Sequence, residues 1–95
     1  FVFALVFLQP IDAMHDLITT IELWNLPKGV ETSLISLLEA ATKLLEEGHE
    51  NGSIQVQKAL IKLVQAHHKR GILTDQQADH LVTTIHAIIL SIKSS

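Results

Sequence analysis

Cysteine is absent from this 95-residue sequence, so disulfides, thiolate metal sites and cysteine nucleophiles are all excluded. Its absence leaves the compartment open, since many exported domains also lack it. Tyrosine is absent too, and one tryptophan and three phenylalanines complete the aromatic set. So few rings make no stacking platform for single-stranded nucleic acid or for sugars. Basic residues are scarce. Seven Lys and Arg stand against ten Asp and Glu, a net charge of −3, which is the wrong sign for a phosphate partner. No apolar run approaches the ~20 residues that a membrane-spanning helix needs. What the chain does have is aliphatic side chains. Hydrophobic residues make up 47% and charged residues 18%. That balance excludes intrinsic disorder, and the length fits one small domain.

The first residue is Phe1, and Phe1-Val2-Phe3-Ala4-Leu5-Val6-Phe7-Leu8 is apolar throughout. Residues 1–9 read as an apolar leader ahead of a domain over residues 10–95. Three origins fit the leader: the tail of a signal-peptide apolar region, the last strand of a preceding segment, or a loosely packed extension.

From Pro10 onward the apolar residues recur at three and four. Ile11, Met14, Leu17, Ile18, Ile21 and Trp24 make one helical stripe, with Asp12 favouring its positive end. Asn25-Leu26-Pro27-Lys28-Gly29 interrupts it. Pro27 lacks an N–H, so it ends the first helix and suits the first turn of the next. Val30, Leu34, Leu37, Leu38, Ala41, Leu44 and Leu45 form the second stripe, with Leu37 expected deep in the core. Glu39 and Lys43 stand four apart on another face, an arrangement worth roughly 0.2–0.5 kcal/mol. Gly48 supplies a left-handed stop, and Asn51 or Ser53 is the expected cap of the third helix. The third stripe carries Ile54, Leu60, Ile61 and Val64, with Val56 and Leu63 less regular and Gln57 where an apolar residue would fit. His67-His68-Lys69-Arg70 suits the negative end of that helix, and Gly71 the residue just past it. Thr74-Asp75-Gln76-Gln77 is a capping box, and Asp79 is expected to favour the positive end of the same helix. Behind it Ala78, Leu81, Val82, Ile85, Ile88, Ile89 and Ile92 form the last stripe, with Ile85 at its centre.

Four amphipathic helices with short loops predict an all-α fold, a small antiparallel four-helix bundle of up-down-up-down topology. Each helix must bury its stripe on the others, so the domain folds as one unit, expected as a monomer.

Several segments resemble a helical module often called FIMAH, found in secreted multidomain polysaccharide lyases, glycosidases and peptidases. Leu26-Pro27-Lys28-Gly29-Val30-Glu31 with Ser33-Leu34 resembles its Leu-Pro-x-Gly-Leu-x-x-Ser-Leu hinge. Leu60-Ile61 with Val64 and Ala66 resembles its Phe-Ile-x-x-Val-x-Ala segment. Leu73-Thr74 with Gln77-Ala78-Asp79 and Leu81 resembles its Leu-Thr-x-x-Gln-Ala-Asp-x-Leu segment. The likeness covers roughly residues 11–92. Leu60 stands where the family has an aromatic, and one extra residue separates Ala66 from Leu73. The resemblance implies a non-catalytic accessory or spacer module, secreted or at a cell surface, whose partner is a neighbouring domain of the same polypeptide or another protein. It carries over no catalytic residues.

Six histidines invite a search for chemistry: His15, His49, His67, His68, His80 and His86. A helical zinc pair needs ligands three or four apart, and no two of these have that spacing. His67 and His68 are adjacent and point to different faces. A tertiary cluster of either with His80, across the turn between the third and fourth helices, is the arrangement that would revive a metal-responsive role. No Gly-x-Ser-x-Gly elbow is present, and Glu46-Glu47 reads as a solvated helix end. The sequence therefore assigns no catalytic, cofactor or metal residues and predicts no enzyme activity, no nucleic-acid partner and no stable membrane span. The alternative to the accessory module is a standalone interaction domain that accepts a partner helix in an interhelical groove.

Overall fold

A computed structural model describes residues 9–94. The expected leader lies outside the described residues apart from Gln9. Four helices follow one another: α1 (Pro10–Leu23), α2 (Lys28–Glu46), α3 (Glu50–Lys69) and α4 (Asp75–Ser94). Each packs on its neighbour in sequence, and α1 closes the ring on α4. The direction of the helices is fixed by side-chain meetings. Met14, early in α1, lies against Thr42, late in α2. Ala41 of α2 accepts from Ser53, early in α3. His68, late in α3, meets Asp75 at the start of α4, and Trp24 at the end of α1 meets His80 near the start of α4. The bundle is therefore antiparallel, up-down-up-down, as the sequence predicts. Its extents are 36 × 29 × 19 Å. The long axis matches a 20-residue helix of about 30 Å, and the short one fits two helix layers about 10 Å apart.

Local chemistry sets the helix ends. At the end of α2, Gly48 has φ of 85°, the left-handed region open to glycine. The His49 N–H donates to the Leu44 carbonyl and the Gly48 N–H to that of Leu45. Those two bonds define a Schellman cap. The end of α3 repeats the device. Gly71 has φ of 82°, the Ile72 N–H donates to His67 and the Gly71 N–H to His68. α1 stops with Asn25 at φ of 53°, since asparagine tolerates this conformation best after glycine. α4 starts with the expected box. The Gln77 N–H donates to Thr74 Oγ1 and the Thr74 N–H donates to Gln77 Oε1, both at 3.0 Å.

The stripes meet in one core. Met14, Leu17 and Ile21 of α1, Leu34, Leu38 and Ala41 of α2, Leu60 and Val64 of α3, and Leu81, Ile85 and Ile88 of α4 are all buried. Four expectations need correction. Leu37 is only half-buried; Leu34, Leu38 and Ala41 carry the buried line of α2, so Leu37 borders the core. Pro27 is the residue before α2 rather than inside its first turn, with its carbonyl accepting from Glu31. Neither Asn51 nor Ser53 caps α3, which begins at Glu50 behind His49 with no side-chain cap. Asp79 lies one turn inside α4, so the acidic residue of the first turn is Asp75.

Polar groups are also built into the interior. Ser53 is fully buried, and its hydroxyl donates to the Ala41 carbonyl across the α2–α3 contact at 2.8 Å. Gln57, also fully buried, donates from Nε2 to Ser53 Oγ at 3.1 Å. The apparent gap in the third stripe is thus a polar tie between two helices. Thr42 Oγ1 lies 2.7 Å from the Leu38 carbonyl and 3.1 Å from Met14 Sδ. Its single proton goes to the carbonyl, and the thioether packs against the hydroxyl. Gln57 Oε1 and both ring nitrogens of His67 are buried without a hydrogen-bond partner.

Candidate functional site

The turn that joins α3 to α4, residues 70–74, holds the two helices side by side and leaves a groove between them. The groove has a volume of about 570 Å³ and is lined by Gln65, His68, Asp75, Gln76, Ala78, Asp79 and Val82. The lining follows helical geometry. Gln65 and His68 are three apart on α3. Asp75, Ala78, Asp79 and Val82 fall at i, i+3, i+4 and i+7 on α4, which is one face of a helix. Two parallel rows result on α4. Ala78, buried, and Val82, half-buried, make an apolar floor. Asp75 and Asp79 make an acidic rim beside it, both exposed, and Gln65, His68 and Gln76 complete the polar edge.

The residues around this floor are held in place by structure already described. Thr74 and Gln77 fix the start of α4 through the capping box. Leu73 and Leu81 are buried in the core and anchor the segment from behind. His68 Nε2 meets Asp75 Oδ1 across the turn. The side chains are 42% and 96% exposed, so the pair contributes little to stability and remains available for exchange with a partner. His68 lies in the last turn of α3 and Asp75 in the first turn of α4.

The histidines separate rather than gather. His67 faces the interior, 7% exposed, while His68 faces the groove. His80 meets neither; its ring stands edge-on to Trp24 with centroids 6.2 Å apart. His15, His49 and His86 are exposed on separate helices or their ends. Among the described residues no group of three or more His, Asp or Glu is placed to hold a metal ion. No helix among them is long and apolar enough to cross a membrane.

Sequence reasoning singled out the residues of the groove for other reasons. Asp75 and Gln76 entered as part of the capping box, Asp79 as a dipole residue, and Ala78 and Val82 as core stripe. That Gln65 and His68 come to face them depends on how α3 lies against α4, and no local signal carries that. Compared with protein-family models, curated proteins and solved structures, the chain finds no match.

Proposed function

We propose that this chain is a non-catalytic helical module that works by holding a protein segment in the groove between α3 and α4. One observation carries the reading: an apolar floor, Ala78 and Val82, lies between polar walls contributed by two helices. A buried and half-buried floor with exposed polar edges is the anatomy of a small protein-recognition surface. The elements beneath it are capped and packed, so the groove is formed before a partner arrives and binding needs little ordering. The likeness of residues 73–81 to the FIMAH module falls on this groove. It favours an accessory role beside a larger exported protein, with a neighbouring domain as the occupant. A standalone domain would use the same surface for a separate protein.

Selection of helical peptides from a displayed library, on the immobilised chain, tests the reading. Selected peptides are expected to compete with one another and to lose binding to Val82→Lys, which puts a charge on the floor. Gln76→Trp, an exposed position at the groove edge, is expected to block them without disturbing the core. Binding unaffected by either change, or no binders at all, would overturn the proposal.

A further inference from the structure

We infer that the occupant is an amphipathic helix carrying lysine or arginine, with an apolar side chain seated on Ala78 and Val82 and a cation against Asp79. The inference rests on the groove being the docking face and adds the chemistry of what docks. The two rows on α4 run parallel, Ala78 with Val82 and Asp75 with Asp79, each pair one turn apart and separated by roughly 6 Å along the axis. Rows at that spacing are the ridges onto which a second helix packs. An occupant with an apolar row and a basic row at the same period matches both at once.

The sign of the charge follows from the lining. It holds two aspartates, one histidine and no Lys or Arg. Asp75 is engaged by His68, whereas no ion pair to Asp79 occurs among the described residues. Asp75 also lies in the first turn of α4, where the helix dipole opposes an incoming cation, an effect that fades within that turn. Asp79, one turn further in, is free of both restraints and is the stronger anchor. Charge also disfavours the occupants nearest to hand. The apolar stretch over residues 1–8 carries no basic residue to meet Asp79, and a second copy brings the same net charge of −3.

The test uses the whole chain and peptides selected from a randomised helical library. Binding of the selected peptides is then measured by fluorescence anisotropy against Asp79→Asn, Asp75→Asn and Glu39→Gln. Glu39 is an exposed carboxylate on α2 outside the groove. The selected peptides are expected to carry Lys or Arg one turn from an apolar residue. Asp79→Asn should weaken them by about fivefold to tenfold, the effect of one interfacial charge pair, Asp75→Asn by less, and Glu39→Gln should leave them unchanged. The affinity should fall as salt rises. Peptides that occupy the groove but lack basic residues, or that ignore Asp79→Asn, would sink this inference and leave the docking face standing. An equal loss with Glu39→Gln would mean that bulk charge, not Asp79, selects them. Peptides insensitive to Val82→Lys and Gln76→Trp would remove the docking face itself. Sedimentation that shows the chain alone forming dimers dissociated by Val82→Lys would make a second copy the occupant instead.

Discussion

Thr74→Ala removes one of the two reciprocal bonds at the start of α4. The lost acceptor is Thr74 Oγ1, 3.0 Å from the Gln77 nitrogen. The remaining arm, Gln77 Oε1 to the Thr74 N–H at 3.0 Å, survives the substitution. N-cap truncations cost roughly 0.5–2 kcal/mol. Thr74 is exposed, so water takes up the freed N–H, which places the cost near ~1 kcal/mol. In a domain of this size, ~1 kcal/mol lowers the melting temperature by roughly 4–8 °C. Thr74→Asp keeps an acceptor and adds a negative charge at the positive end of the helix, so it is expected to be neutral or slightly stabilising. Gln77→Ala should cost less than Thr74→Ala, because its acceptor serves a donor outside the helix proper. The double variant measures the coupling, expected below the sum because the two bonds share one local geometry. Thermal and urea unfolding followed by circular dichroism give these values. A silent Thr74→Ala alongside a destabilising Gln77→Ala would place the cap elsewhere and detach the Gln-Ala-Asp segment from the helix start.

Other perturbations separate core from border and ordinary from strained backbone. Ile85→Ala, fully buried in α4, should cost roughly 2–5 kcal/mol, and Leu37→Ala, half-buried, clearly less; equal losses in urea unfolding would contradict the burial pattern. Gly48→Ala should cost about 1–2 kcal/mol, because φ of 85° strains any side chain although nothing lies within 4 Å of the added carbon. His67→Leu removes two buried nitrogens that have no partner, so it should be neutral or stabilising at neutral pH; a marked loss of melting temperature would show that the ring has a partner in solution. Gln57→Met keeps the volume and removes an unpartnered oxygen while Ser53 still reaches Ala41, so it should cost about 1 kcal/mol or less, and Gln57→Ala distinctly more through the cavity it leaves.

What the sequence makes legible here is what depends on neighbours in the chain. The four stripes locate the helices, because burial on one side of a helix forces a period near 3.6. Gly48, Gly71 and the Thr74–Gln77 box mark ends through bonds that span only three to five residues, so composition alone reveals them. Leu37 and Leu38 are adjacent leucines, and which one faces the core depends on the rotation of α2 against α1 and α3. Ser53 looks like a cap because serine favours that position. Its hydroxyl instead finds the Ala41 carbonyl, a partner from another helix that no local rule supplies. Gln57 follows from Ser53, since a buried amide is tolerable only beside such a group. The groove is the extreme case: its floor belongs to a core stripe and its rim to a helix start, and the site exists only where α3 closes against them.

The face formed by Gln65, His68, Ala78, Asp79 and Val82 is the proposed docking surface. Amide chemical-shift mapping of the isotope-labelled chain, titrated with a library-selected basic helical peptide, measures it directly. The largest shifts are expected on residues 65–68 and 75–82, with the α1–α2 side of the bundle unmoved. Shifts centred on α1 or α2, or spread evenly over the surface, would contradict it.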